Sequence, residues 1–151
     1  SEAGPDYLYN VHRLLKKFAT AANLVPQPEV RAAAKKTRLG VIYFGSTAPA
    51  MDEALESLAG AQIHLDAMRL KAFPFPACVD EFIKAHDHVF VVEQNRDAQM
   101  RTLLVNELEL DPAALTPVLH YDGTPITARF IAHAITRQVH ALAVAPRREK
   151  A

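Results

Sequence analysis

Several features are scarce in this sequence of 151 residues, and each scarcity excludes a class of protein. Its single cysteine, Cys78, cannot form an internal disulfide and cannot hold an iron–sulfur cluster, which takes about four cysteines. With only five glycines, the chain has no dinucleotide fingerprint, phosphate-binding Walker loop or Gly-x-Ser-x-Gly nucleophile turn. No apolar run approaches the ~18 residues that cross a bilayer. The first six residues lack the pattern of a secretory signal, so a cytoplasmic location is expected.

The formal net charge is zero, but the charges are unevenly distributed. Residues 1–38 contain seven Lys or Arg against three Asp or Glu, and residues 39–145 contain seven against thirteen. Residues 146–151 are basic again, with three against one. The acidic middle of the chain argues against a nucleic-acid-binding surface there. The basic flanks are expected either to be solvated or to dock on acidic protein surfaces.

The periodicity of apolar residues divides the chain into three regions. Spacings of three and four predict a helix over residues 7–22, and residues 29–37 are expected to form a short polar helix. We therefore expect 1–38 to be a helical arm outside the sheet, 39–145 to be one α/β domain, and 146–151 to be a basic tail.

From residue 39 onward, strand patterns alternate with helix patterns. The predicted strands are 39–44, 62–70, 88–94 and 115–121, and the predicted helices are 49–59, 77–86, 96–110 and 127–143. Single helices between strands predict a mostly parallel sheet of four to five strands covered on both faces, a three-layer α/β/α sandwich. The third strand is apolar on both sides, so it is expected to be central. In such sheets, function is expected beyond the carboxyl ends of the strands.

The loop after the first strand, Gly45-Ser46-Thr47, joins that strand to a helix. Free amides at the start of a helix can bind an anion. The simpler interpretation, which we favour, is that Ser46 or Thr47 caps the helix.

The loop after the third strand contains Glu93, Gln94 and Asn95. Their carboxylate and amides are suited either to holding a ligand or partner loop, or to satisfying neighbouring backbone groups. In the first case, Asn95→Ala is expected to leave the melting temperature of the isolated chain nearly unchanged but to weaken assembly or turnover of a complete enzyme. The nearby His86-Asp87-His88 is interpreted as surface histidines, because the two rings need not converge on a metal.

Four segments, taken in order, resemble one known family. They are the strand–Gly-Ser-Thr–helix unit at 41–54, the Phe-Pro-Phe-Pro turn at 73–76, Val-Val-Glu-Gln-Asn at 91–95 followed by Gln99, and Asp-Gly-Thr-Pro at 122–125. This order resembles the C-terminal domain of the alpha subunit of 2-oxoacid:ferredoxin oxidoreductases, particularly the 2-oxoglutarate type. The match covers about residues 39–140.

One further detail agrees with this resemblance, and one departs from it. The basic stretch at 12–17 is similar to the connector that precedes the family's domain. The family usually has glycine before the glutamine of the third segment, where this sequence has Ala98. In the second segment, Pro74 is expected in a sharp turn, with one X-Pro bond cis.

The resemblance implies a fold like that of the transketolase C-terminal domain. The complete enzyme of that family converts a 2-oxoacid and coenzyme A to an acyl-coenzyme A and carbon dioxide. It uses thiamine diphosphate, magnesium and iron–sulfur clusters, and it reduces ferredoxin. This chain is expected to bind none of these cofactors or metals and to serve in assembly with the remaining alpha-subunit domains and the thiamine-binding beta subunit.

The resemblance also suggests where the chain meets its partners. The residues expected at a cleft or interface are Gly45, Ser46, Thr47, Pro74, Pro76, Glu93, Gln94, Asn95, Gln99 and Gly123. No catalytic residue is expected, nor a membrane or nucleic-acid partner. Two alternatives stay open: a domain of another thiamine enzyme, either transketolase-like or a 2-oxoacid dehydrogenase beta subunit, and a free-standing interaction module.

Overall fold

The computed structural model describes residues 3–144, and the expected basic tail at 146–151 lies outside them. The helices are α1 (Gly4–Ala21), α2 (Ala48–Gly60), α3 (Ala77–Lys84), α4 (Gln99–Leu108) and α5 (Ala128–Val144). The strands are β1 (Glu29–Arg31), β2 (Leu39–Phe44), β3 (Asp66–Leu70), β4 (His88–Glu93) and β5 (Leu115–Leu119). No helix in the described part of the chain is long and apolar enough to cross a membrane.

The strands form one sheet in the order β1-β3-β2-β4-β5. The pairs β3–β2, β2–β4 and β4–β5 are parallel, and only β1 is antiparallel to its neighbour. Pro117, which cannot donate a ladder hydrogen bond, lies on the edge strand β5, where such a residue is tolerated. The predicted three-layer α/β/α sandwich with a mostly parallel sheet is confirmed.

β4 shows why the sheet is covered on both faces. Phe90 and Val92 pack into one core with α2 and α5, while Val89 and Val91 pack into a second core with α3 and α4. All four side chains are fully buried. The predicted central position of this strand, between β2 and β5, is therefore confirmed, and residues of both faces contribute to the hydrophobic stabilisation.

β1 is the fifth strand, which the sequence pattern did not reveal. The predicted helix over 29–37 outside the sheet is wrong, because Glu29, Val30 and Arg31 pair with β3. Three exposed residues cannot show a buried alternation, so tertiary pairing decides their structure. Lys71 donates a hydrogen bond to Glu29 across the pair, and this interaction lowers the pKa of Glu29.

On the face of the sheet covered by α3 and α4, the side chains of Phe82 and His86 lie close to the backbone of Gly40 in β2. A Cβ atom at this position would lie 3.0 Å from Cε1 of Phe82 and 3.2 Å from Cγ of His86. The prediction that His86 is a surface histidine is wrong, since its side chain is only 5% exposed. Its Nδ1 lies 2.7 Å from the carbonyl oxygen of Phe82, and its Nε2 lies 3.0 Å from a carboxylate oxygen of Asp66. The histidine thus joins the end of α3 to the start of β3.

Candidate functional site

The connectivity of the sheet creates a crevice between the carboxyl ends of β2 and β4. After β2 the chain crosses to β3 on one side, and after β3 it returns to β4 on the other. The loops that follow β2 and β4 therefore leave the sheet in opposite directions, a place where open α/β sheets commonly bind ligands. A pocket of about 400 Å³ lies there, lined by Phe44, Gly45, Ser46, Thr47, Gln94, Asn95, Gln99, Met100 and Leu103.

The loop after β2 forms one wall of the crevice. Gly45 has a φ of +56°, a left-handed conformation that glycine adopts without a steric penalty, and a single 3₁₀ turn then leads into α2. Neither Ser46 nor Thr47 caps α2 through its side chain, so that prediction is wrong. Nε2 of Gln94 instead donates to Oγ of Ser46 at 3.0 Å and to Oγ1 of Thr47 at 3.2 Å. Gln94 therefore connects the two loops of the crevice.

Glu93 lies behind the crevice and does not line it. Its side chain is fully buried at the end of β4. Oε2 accepts a hydrogen bond from the backbone N–H of Met100 at 2.8 Å, and Oε1 accepts from that of Arg101 at 3.0 Å. A carboxylate at the start of α4 also interacts favourably with the helix dipole. The Glu93 carboxylate thus stabilises the start of α4 by accepting two of its backbone N–H groups.

Asn95 completes this arrangement at the start of α4. Its Oδ1 accepts from the backbone N–H groups of Asp97 at 3.1 Å and Gln99 at 3.2 Å. Its Nδ2 donates to Oε2 of Glu93 at 2.8 Å. Glu93 and Asn95 together satisfy the first three N–H groups of α4, so of the two interpretations of this loop the structure favours backbone satisfaction for both residues.

Ala98, where the resembling family has glycine, precedes α4 in the left-handed conformation, with φ 50° and ψ 47°. Glycine adopts this conformation freely, whereas a Cβ atom makes it costly. Its carbonyl oxygen accepts the N–H of Thr102 and begins the regular hydrogen bonding of the helix. Position 98 of this chain therefore has a backbone conformation that favours glycine, although the residue there is alanine.

The other expected site residues lie in the loops on either side of the crevice. The Phe73–Pro74 bond is cis, as predicted, in the turn after β3, and the buried Pro76 precedes α3. Gly123, with a φ of +87°, lies in the exposed turn after β5. In the same turn, hydrogen bonds from the hydroxyl and backbone N–H of Thr124 lower the pKa of Asp122. All these loops lie at the same edge of the sheet, but Pro74, Pro76 and Gly123 do not line the crevice.

The crevice also contains residues that the sequence analysis did not assign to a site. Phe44, Met100 and Leu103 form its apolar wall. Met100 and Leu103 lie three apart on α4, a spacing that indicates a helix but does not by itself indicate a site. Their position near the start of a helix that follows a site loop is the sequence signal that could have identified them.

The side chains that line the crevice are uncharged. Its polar side chains are hydroxyls and carboxamides, and no charged side chain lines it. It therefore offers no cation to neutralise a diphosphate and no free carboxylate for magnesium. No group of three or more His, Cys, Asp or Glu within residues 3–144 is arranged to hold a metal ion. The residues present do not fit thiamine diphosphate, magnesium or an iron–sulfur cluster, and they are suited to hydrogen bonds with neutral polar groups.

Comparison with solved structures identifies enzymes that contain this fold. One is 2-oxoglutarate:ferredoxin oxidoreductase from Magnetococcus marinus with 2-oxoglutarate, coenzyme A and succinyl-CoA bound, which matches 92% of this chain with a TM-score of 0.80 at 21% identity. The match spans only 24% of that enzyme's chain. The fold is shared with this oxidoreductase. The fold that the resemblance implied, that of the transketolase C-terminal domain, is confirmed.

Two further structures share the fold. The alpha chain of a probable 2-oxoacid ferredoxin oxidoreductase from Thermoplasma acidophilum matches 76% of this chain and 97% of its own, at 22% identity with a TM-score of 0.50. A split gene transketolase, solved as an inactive beta4 tetramer, matches 74% of this chain and 41% of its own, at 18% identity with a TM-score of 0.56. No protein-family model and no curated protein matches the sequence.

Proposed function

We propose that this chain is the transketolase C-terminal-like domain of the alpha subunit of a 2-oxoacid:ferredoxin oxidoreductase of the 2-oxoglutarate type. The observation that carries the proposal is the fold match over 92% of the chain with a TM-score of 0.80 to an enzyme of that activity. The four sequence segments in register support the same assignment independently of the fold. The complete enzyme would convert 2-oxoglutarate and coenzyme A to succinyl-coenzyme A and carbon dioxide.

The role proposed for the chain within this enzyme is assembly. Thiamine diphosphate, magnesium and the iron–sulfur clusters would be held by other domains and by the beta subunit. Support for this division comes from the uncharged lining of the crevice and from the single cysteine of the sequence. The complete enzyme would act in the cytoplasm, which agrees with a sequence that has no cysteine pair to oxidise.

The crevice between β2 and β4 is the proposed contact with a neighbouring domain or with the beta subunit. Ser46, Gln94 and Gln99 offer neutral donors and acceptors beside the apolar Phe44 and Leu103. Such a lining is suited to the backbone of an inserted partner loop, whose N–H and C=O groups need neutral hydrogen-bonding partners.

A transketolase-type enzyme is the second candidate, favoured by the match to the split gene transketolase. The electron acceptor distinguishes the two candidates, because only the oxidoreductase reduces ferredoxin with coenzyme A as co-substrate. A free-standing interaction module is the third alternative, and it would have no thiamine-binding partner.

The proposal is tested by co-expressing the tagged chain with the thiamine-binding subunit and the remaining alpha-subunit domains of the 2-oxoglutarate:ferredoxin oxidoreductase from the same organism. We expect a stable complex to co-purify. Gln99→Arg, which introduces bulk and charge into the crevice, should reduce the yield of this complex at least about tenfold. Arg137→Glu, on the exposed face of α5, is the matched control and should leave the yield unchanged. Absence of any complex with the unaltered chain would overturn the proposal.

A further inference from the structure

The buried side chain of His86 contacts two groups that can only accept a hydrogen bond. Its Nδ1 lies 2.7 Å from the carbonyl oxygen of Phe82, and its Nε2 lies 3.0 Å from Oδ2 of Asp66. A carbonyl oxygen has no proton to donate, and neither has an ionised carboxylate. A neutral imidazole carries a proton on only one ring nitrogen, so it can satisfy only one of these two contacts.

Both contacts are satisfied only if the pair of His86 and Asp66 holds one proton more than a neutral imidazole beside an ionised carboxylate. Without that proton, lone pairs of Nε2 and Oδ2 would face each other across 3.0 Å. The side chain of His86 is only 5% exposed, so water cannot readily replace either partner. Oδ1 of Asp66 accepts the backbone N–H of Ala33 at 2.7 Å, a contact that favours the ionised carboxylate. We therefore assign the extra proton to the imidazole ring.

The acids near this pair differ in what they contact. Asp66 is in direct contact with the ring. Asp87, which follows His86 in the chain, binds Arg38 at 2.6 Å, and Asp80 of α3 binds Lys84 at 2.6 Å. Each of these two acids has a basic partner whose side chain is more than half exposed, where water and salt weaken its effect on the ring. The acid that decides the charge of the ring is therefore Asp66.

The other titratable groups on the surrounding segments are basic. His64 precedes β3 and His88 begins β4, and both are half-buried. Lys35 and Lys36, in the loop between β1 and β2, are exposed. A positive charge on any of these groups opposes a second proton on the ring of His86, so the hydrogen bond to Asp66 must outweigh them.

The pair joins three segments at the amino-terminal edge of the sheet. His86 lies between α3 and β4, Asp66 is the first residue of β3, and Ala33 lies in the loop between β1 and β2. The crevice lies at the opposite edge, beyond the carboxyl ends of β2 and β4. Loss of the proton would break the contact between His86 and Asp66 and weaken the hold of Asp66 on the loop, without changing the crevice.

We propose that the contact between His86 and Asp66 is a pH-sensitive switch for the attachment of the loop after β1, made only while the imidazole carries its second proton. An unfolded chain releases the proton of an ordinary histidine at about pH 6.5. If the folded chain keeps this proton at higher pH, the stabilisation is complete below that pH and is lost as the pH rises, until the folded chain also releases the proton. The proposal goes beyond the proposed function and does not depend on it.

The first test follows the ring of His86 in the unaltered full chain, labelled with ¹⁵N in histidine, by NMR over a range of pH. We expect His86 to keep both ring protons at a pH at which the exposed His133, the internal control, has lost one. The backbone amide of Ala33 should exchange with solvent faster only at the pH at which His86 titrates. Loss of the His86 proton at the same pH as that of His133, or at a lower one, overturns the proposal.

The second test removes the need for the proton with Asp66→Asn. The new carbonyl oxygen can still accept the N–H of Ala33, and the new amide can donate to Nε2 of a neutral ring. We expect the ring of His86 to lose its extra proton in this variant. The stability advantage of the unaltered chain over the variant, measured by denaturant titration, should shrink as the pH rises.

Asp87→Asn is the matched control, because it removes an acid next to His86 in the chain that is 48% exposed. It should leave the titration of His86 close to that of the unaltered chain. A His86 ring that keeps its extra proton in Asp66→Asn, or that loses it equally in Asp87→Asn, overturns the proposal.

Discussion

Nδ2 of Asn95 donates a hydrogen bond to Oε2 of Glu93 across 2.8 Å, and the two side chains together hold the start of α4. Glu93 is fully buried, whereas Asn95 is partly exposed at the crevice. The same pair therefore connects the buried end of β4 with the surface proposed to meet a partner.

Removing the Asn95 side chain is expected to destabilise the domain. Asn95→Ala leaves two backbone N–H groups without their acceptor and removes one of the two hydrogen bonds to Oε2 of Glu93, which should cost about 1–3 kcal/mol in the free energy of unfolding. Denaturant titration measures this loss. Asn106→Ala, at an exposed position of the same helix, is the control and should leave the stability unchanged or slightly higher. An unchanged midpoint for Asn95→Ala would restore the expectation drawn from the sequence, that Asn95 is free for a partner.

Glycine at position 98 is expected to stabilise the chain. Ala98→Gly relieves a left-handed backbone cost of about 1–2 kcal/mol and adds about 0.5–1 kcal/mol of chain entropy to the unfolded state, for a net gain of up to about 1.5 kcal/mol. Thermal unfolding should show a higher Tm. Ala85→Gly, at an exposed position with a φ of −73°, is the control and should lower the Tm slightly. A lower Tm for Ala98→Gly would show that the left-handed conformation is not strained.

Alanine at position 40 is expected to disrupt the packing of α3 on the sheet. The new Cβ would lie 3.0 Å from the ring of Phe82, in a core with little space to move, so Gly40→Ala should cost about 1–3 kcal/mol. Gly60→Ala, where no atom lies within 4 Å, should be neutral or stabilising. Chemical denaturation of the two variants in parallel checks the contrast, and equal stability would mean that Phe82 and His86 adjust freely.

The ion pair of Glu29 is expected to make the attachment of β1 sensitive to acid. The hydrogen bond from Lys71 lowers the pKa of Glu29 below its ordinary value of 4.5. The resulting stabilisation is present above pH 4.5 and is lost as the pH falls through the lowered pKa. Glu29→Gln should therefore reduce the slope of Tm against pH below 4.5, by a small amount because the pair is exposed. Glu107→Gln, exposed on α4, is the control, and equal slopes for both variants would refute a role for this pair.

Most of the fold could be predicted from the sequence, because apolar runs indicate the buried strands and helices and Pro or Gly residues mark where these elements end. β1 was not predicted, because its three exposed residues show no periodic pattern of apolar side chains. Their structure depends on pairing with β3. Gly45 and Gln94 were found because parallel strands bring their carboxyl-terminal loops to one edge, whereas Gln99 was found through the family resemblance of its segment. The different positions of Gln94, at the crevice, and Glu93, which is buried, could not be predicted. Adjacent side chains point to opposite sides of extended backbone, and only the position of α4 decides which of the two is buried.

The central claim is that the chain has no catalytic centre of its own and completes a larger thiamine-dependent oxidoreductase. It is tested most directly by measuring 2-oxoglutarate- and coenzyme A-dependent reduction of ferredoxin by the chain alone, by its partner subunits alone, and by the reconstituted mixture with thiamine diphosphate and magnesium. We expect no turnover by the chain alone, little by the partners alone, and restored turnover in the mixture. Turnover by the isolated chain, or full activity of the partners without it, would contradict the claim.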